Sequence, residues 1–265
     1  MIKYFKKECK DILMLLKNIP ALIFTLFVVA VIAMNLLANK SINLPWNWLA
    51  LDCGIIVSWI AFLTNDIIVK HFGPKAATKI TIVAIIINLG ICLLFFVASK
   101  IPGVWGESFV EGSEDLINNA LNKTFGGTWY VVFGSAIAFL IAAIVNNFTN
   151  YSIGLLFKKD KDSFKVFAFR SYISTALGQF VDNLCFALIV SHIFFGWTII
   201  QCITCSLTGM ILELLFEIVF SPIGYRITKK WQKENVGKLY FDYRGDKKWK
   251  CWLQEQQEEL ARQLL

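Results

Sequence analysis

No catalytic signature stands in this sequence. It has no HExxH pair, no Gly-rich loop to cradle a phosphate and no Ser/His/Asp set in credible register, so an enzyme is not expected. A disulfide framework is missing too. Cys9 and Cys251 flank the apolar part of the chain, and Cys53, Cys92, Cys185, Cys202 and Cys205 fall in apolar runs, where they read as small buried hydrophobes. The CxxC of Cys202 and Cys205 has no second pair and no nearby His, which argues against a metal or redox centre, and no cofactor is expected. Internal repeats and low-complexity linkers are absent as well. Charge is scarce: Asp, Glu, Lys and Arg make up 17% of the residues against 57% apolar, with a mean hydropathy of +0.59. A soluble domain carries about 25% charged residues, so a membrane protein is the expected class.

What is present is a series of apolar runs, each long enough to approach the roughly 20 helical residues that cross a bilayer. Six are expected, at 19–38, 49–64, 76–98, 128–157, 167–195 and 197–227. The second has a short purely apolar part; the last three are long enough to tilt. Lys3, Lys6, Lys7, Lys10 and Lys17 precede the first run, Lys70, Lys75 and Lys79 follow the second, and Lys158, Lys159, Lys161 and Lys165 follow the fourth. The alternate loops are poor in Lys and Arg, and residues 99–127 carry Glu107, Glu111, Glu114 and Asp115 against Lys100 and Lys123. Basic loops stay in the cytoplasm, so the expected fold is an all-α bundle of six transmembrane helices in the cell (inner) membrane with both termini cytoplasmic. The net charge of +7 follows from that topology and from anionic lipid, without nucleic acid. Three parts are expected: a lead over 1–18, the transport domain over 19–227 and a basic tail over 228–265. The lead places Phe5, Cys9, Ile12, Leu13 and Leu16 on one helical face and lysines on the other, as in a helix lying in the interface. The first run lies behind this lead and has no small-residue cleavage site, so no cleavable signal peptide is expected. Trp249, Trp252 and Leu253 suggest an interfacial role for the tail.

Within the runs, polar residues form stripes. Thr175, Gln179, Asp182 and Phe186 follow at offsets of four, three and four, on one face of the fifth helix, with Arg170, Ser174 and Gly178 flanking it. Arg170 stands twelve residues from Asp182, about 18 Å of helical rise, so the two cannot pair, and only Arg170 can snorkel to the interface. Asp52, Trp59 and Asp66 recur at sevenfold spacing in the second run, Asn146 and Asn150 lie a turn apart in the fourth beside Asn147, and Gly209, Glu213 and Glu217 follow at fours in the sixth. The third adds Thr81 and Asn88. Ionisable groups at membrane depth face a cavity or a partner, and polar faces in a bundle meet around a shared space. Asn88, Asn146 and Asn147 have the simpler alternative of bonding a neighbouring helix, and Asp52, Asp66 and Arg170 that of an interfacial position. His192 reads as interfacial. The candidate binding residues are Trp59, Phe62, Asp66, Asn150, Arg170, Thr175, Gln179, Asp182, Phe186, Glu213 and Glu217. Amides and carboxylates with flat aromatic faces suit a planar heteroaromatic solute with several hydrogen-bonding edges. Deep acids outnumber deep bases, which allows a proton or cation to accompany the solute, or lets the acids read its donors.

FLTNDIIVKHFGPKAA, RSYISTALGQFVDN and SPIGYRITKKWQKEN resemble, in order and spacing, the signature segments of the VUT family of bacterial six-helix transporters, the queuosine-precursor transporters. The resemblance spans most of residues 45–235. By position Asp66 and Gly73 answer to the family's residues after the second span, Arg170, Ser174, Thr175, Gln179 and Asp182 to its fifth-span motif, and Pro222 and Tyr225 to the end of its sixth span. Members commonly have Pro at the position of Trp59, Thr at that of Asn65 and Glu at that of Lys70. The resemblance implies import of a 7-deazaguanine base for the tRNA nucleoside queuosine: 7-cyano-7-deazaguanine, its aminomethyl relative or the salvaged base queuine. The second reading is a substrate-binding membrane subunit of an energy-coupling, ATP-driven vitamin importer, although the small-residue pattern of such subunits' first helix is poorly developed here. The sequence leaves the oligomeric state open, a homo-oligomer included.

Overall fold

A computed structural model describes residues 2–105, 112, 114–156 and 164–245. Two short helices and a hairpin accompany the long ones: α1 (Ile2–Asn18), α2 (Ala21–Leu37), β1 (Ser41–Ile42), β2 (Leu51–Asp52), α3 (Ile55–Phe72), α4 (Pro74–Ala98), α5 (Glu114–Gly127), α6 (Trp129–Leu156), α7 (Phe164–Phe186), α8 (Ile193–Phe195), α9 (Ile199–Lys233) and α10 (Lys238–Arg244). A π-helical turn, Ala187–His192, joins α7 to α8. Among the described residues four helical segments are long and apolar enough to cross a membrane, Lys75–Ala98, Asp115–Ala142, Thr175–Phe195 and Ile199–Phe220. The pair α1 and α2, bent by 111°, makes a fifth if it counts as one span, and the apolar part of α3, Ile55–Val69, is shorter. The chain is thus an all-α, multi-pass membrane protein.

Each expected apolar run contains a helix, and local chemistry sets its ends. Pro20 precedes α2, where its missing N–H costs nothing. Gly73, at φ +87°, turns the chain between α3 and α4, and Pro74 opens α4. Thr198 caps α9 in a reciprocal box with Gln201. The second run departs from expectation at its start: residues 51 and 52 pair with 42 and 41 in an antiparallel hairpin, and α3 begins only at Ile55.

Helices α6, α7, α9 and α3 pack side by side in that order, and α2 and α4 close the ring against α3 and α6. Directions reverse from one long helix to the next along the chain, so the neighbours α3 and α9 run parallel, Trp59 meeting Phe220, Ile67 meeting Gly224 and Phe72 meeting Trp231. The start of α9 meets the α2–α3 connection, where Gln201 Nε2 and Thr204 Oγ1 donate to the carbonyls of Asn47 and Trp48. At the end of the bundle that carries α1, Ile67, Ile68, Phe72, Ile80, Trp231, Tyr240 and Phe241 form the main apolar core. There α10 turns back after Gly237, whose φ of +82° and lack of a side chain are both needed: a Cβ would lie 2.5 Å from the Phe72 ring. Phe241 stacks on Phe72 at 5.5 Å, and His71 Nε2 hydrogen-bonds the Val236 carbonyl at 2.9 Å.

The lead helix is rotated from the orientation its apolar face suggests. Lys79 of α4 pairs with Glu8 at 2.7 Å and with Asp11, which share a face with the fully buried Leu15. That face turns to the protein, because a lysine needing two carboxylates and a leucine needing burial coincide on it. Leu13 of the expected apolar face is 58% exposed. The side chain of Phe5 and the tail at 246–265, with Trp249, Trp252 and Leu253, lie outside the described residues.

His71 stands beyond the apolar part of α3, and burial pushes its imidazole below the ordinary value, with the Val236 carbonyl opposing. A base held neutral in the fold contributes stability that is present above its unfolded value and lost as pH falls through it. Thermal unfolding from about pH 7.5 to about 5.5 is therefore expected to cost the wild type more stability than His71→Gln. Equal losses would contradict it.

Candidate functional site

One end of the ring holds a cleft with walls from five helices and the hairpin. Helical spacing aims each wall inward. Asn35 and Ala38 come from α2, Ser58 and Phe62 from α3, Ser135 and Ala138 from α6, Asp182 and Phe186 from α7, and Cys205, Gly209 and Glu213 from α9, each set at offsets of three or four. Asp52 enters from β2 and Asn183 from the α9 side of α7.

Glu213 is the best-anchored of these groups. Only 7% exposed, it accepts a hydrogen bond from Asn183 Nδ2 at 3.1 Å, and the Ser58 hydroxyl faces the same carboxylate. Three helices thus converge on one acid. The contact depends on Gly209, one turn before Glu213: a Cβ there would lie 2.7 Å from Asn183 Nδ2. Asp52 is held differently, its Oδ1 accepting the Gly54 N–H at 2.7 Å, which ties the hairpin to the start of α3. Asp182 has no hydrogen-bond donor among the described residues, and it faces open space in the cleft. Asn35 is 4% exposed, and its carboxamide likewise has no partner among the described residues. Phe62 and Phe186 supply flat apolar surface beside these polar groups.

Of the residues expected from sequence, the structure brings Phe62, Asp182, Phe186 and Glu213 to this cleft. Trp59 is not on its wall. Its indole stacks on Phe220 at 4.6 Å and on Phe216 at 5.8 Å along the α3–α9 contact, and its Nε1 donates to the Ile56 carbonyl. Gln179 is buried on α7 one turn from Asp182 but does not line the cleft, and Thr175 lies a further turn away. The side chains of Asp66, Asn150, Arg170 and Glu217 lie outside the described residues. His192 bonds the Trp197 carbonyl through Nδ1, closing the turn between α7 and α9. Cys205 lines the cleft, whereas Cys202 donates to the Ala187 carbonyl.

Asn35, Ser58, Ser135, Asn183 and Gly209 belong to the cleft but not to the expected binding set, and Asp52 was expected only as part of a stripe. Asn183 could have been found as the residue adjoining Asp182 on the side of the next helix. Asn35 gives a weaker signal, a single amide in an otherwise apolar run.

The clamp around Glu213 makes Gly209 sensitive to one methyl group. Gly209→Ala is expected to cost about 1–3 kcal/mol, read as a fall in the thermal midpoint of roughly 2–4 °C per kcal/mol. Gly90→Ala, where a Cβ meets nothing within 4 Å, should leave the midpoint unchanged or raise it. Equal behaviour of the two variants would remove the clamp from the account.

A family profile described as "Putative vitamin uptake transporter" matches residues 52–227, more than half of the chain and every wall element except α2 and Leu51. No curated protein and no solved structure matches the chain. With its multi-pass helices and internal cleft described, the chain belongs to the putative vitamin uptake transporter family, whose members are transporters of small molecules and not enzymes.

Proposed function

We propose that this protein imports a 7-deazaguanine base or a related queuosine precursor or salvage compound across the cell membrane. The observation that carries the proposal is the cleft in which Asp182 and Asn35 have no side-chain partner among the described residues while Phe62 and Phe186 offer ring faces. Unpartnered buried polar groups are costly, and a ligand that supplies the missing hydrogen bonds removes that cost. A fused bicyclic base does this well: its ring takes the aromatic surface, and its ring N–H and exocyclic amine reach carboxylate and carboxamide acceptors. Membership of an uptake family and the resemblance of residues 170–183 to the queuosine-precursor transporters support the same reading.

In this proposal six helices cross the membrane, α2, α3, α4, α6, α7 with its π-helical continuation, and α9. Their alternating directions place both chain termini on one side, and the lysine-rich connections make that side the cytoplasm. Asp182 reads the N–H edge of the solute, Asn35 pairs with a second edge, and Phe62 or Phe186 stacks on the ring. Glu213, fixed by Asn183, shapes the floor and is the group best placed to exchange a proton or cation as the solute moves. Gln179, Asp66, Asn150, Arg170 and Glu217 belong in this proposal to the inner path, where Arg170 helps close the cytoplasmic end.

Uptake of labelled base into cells lacking their own importer tests the reading. Expression of this chain should restore uptake, and Asp182→Ala should reduce it at least about tenfold, as loss of a charge-assisted hydrogen bond implies. Undiminished uptake by Asp182→Ala at equal expression would remove its assigned role.

A further inference from the structure

The cleft has a charge character that separates members of the proposed solute class. Three carboxylates, Asp52, Asp182 and Glu213, face one space, and no Lys, Arg or His stands in its described wall. The neutral lining groups bring no charge to offset them, and the side-chain donors to the α7 and α9 acids among the described residues, the Asn183 amide and the Ser58 hydroxyl, both serve Glu213. Two of the acids already have partners: Glu213 takes the Asn183 amide, and Asp52 takes the Gly54 N–H. Asp182 has open acceptor capacity, and Asn35, 96% removed from solvent, adds an unpaired carboxamide beside it. A positive charge that enters a cleft lined by several carboxylates is attracted by all of them.

We propose that the cleft selects a cationic solute: a planar heterocycle carrying a protonated amine, whose ring N–H edge meets Asp182 and whose ammonium enters between Asp182 and Asp52. This rests on the importer reading above and narrows it. A protonated amine contributes donors and a charge and no acceptor, the complement of this wall. A nitrile on the same ring contributes an acceptor and no charge: the Asn35 amide can donate to it, but the ionised carboxylates cannot, and it leaves their charge unmatched. The aminomethyl base is therefore the preferred ligand and the cyano base the poorer one. Ser135, the remaining hydroxyl in the wall, can bond either and gives no discrimination.

The experiment is calorimetric titration of the full chain, purified in detergent, with 7-aminomethyl-7-deazaguanine and with 7-cyano-7-deazaguanine at neutral pH. The aminomethyl base should bind at least about tenfold more tightly, the scale of one charge-assisted hydrogen bond. In Asp52→Asn, which keeps the side chain's shape, the ratio of the two affinities should fall to about twofold or less even if both ligands weaken. Should that variant not fold, the wild-type ratio at low salt decides the proposal by itself. Equal or tighter binding of the cyano base overturns the cation preference and leaves the importer reading standing. Binding of neither base removes both.

Discussion

The bond from Asn183 to Glu213 is the contact on which the rest of the cleft depends. It joins α7 to α9 at the depth where a carboxylate most needs a donor, and Ser58 brings α3 to the same point. Removing one donor from a buried acid costs about 1–3 kcal/mol, so the three helices are not free to drift apart there. Gly209 is the geometric condition for this contact, since any side chain would occupy the space of the Asn183 amide. With Glu213 fixed, its neighbours toward the hairpin are fixed too: Gly209 and Cys205 one and two turns along α9, Asp182 beside Asn183 and Phe186 a turn further on α7. The result is a wall in which one acid is fully engaged and another is left open.

A second fixed region lies at the opposite end of the bundle. Hydrogen bonding of His71 to Val236, stacking of Phe72 on Phe241 and the ion pairs of Lys79 with Glu8 and Asp11 tie α1, α3, α4, α9 and α10 together. Aromatic burial of this kind contributes beyond area alone, by about 0.5–1.5 kcal/mol for a ring pair. The bundle is thus anchored at two levels, a polar one in the cleft wall and an aromatic one at the opposite end. Between them, α3 and α9 meet through apolar packing, the Trp59, Phe216 and Phe220 stack and Gly224 against Leu63 and Ile67. Packing without directional bonds is the part of a bundle that can slide, which suits a protein whose task is to pass a solute from one side to the other.

Hydropathy makes the helices legible because the bilayer requires every spanning backbone to be internally bonded, and only helices satisfy that here. It failed where an apolar stretch was not helical. Residues 49–54 are apolar enough to extend the second run, yet residues 51 and 52 pair with the 41–42 strand, and α3 starts at Ile55. The sevenfold spacing of Asp52, Trp59 and Asp66 therefore does not describe one helix face, and Trp59 turns to Phe216 and Phe220 instead of the cleft. On α7 the four-three-four series contains Asp182 and Phe186, which both line the cleft, but not Asn183, which is about 100° round the helix and bonds Glu213 of α9. Periodicity within one helix identifies a polar face; which neighbour that face meets depends on tertiary packing. Asn35 shows the same limit, because a single amide in an apolar run has no period to reveal it. The rotation of α1 has a similar origin, since Asp11 joins the buried face only because Lys79 waits across from it.

The most direct measurement is an experimental structure of the full chain with a bound 7-deazaguanine base. The account predicts a planar ligand between α3 and α7, its ring against Phe62 or Phe186 and its N–H edge within hydrogen-bonding distance of Asp182. A ligand held instead against the Trp59, Phe216 and Phe220 stack, with the cleft empty, would contradict it.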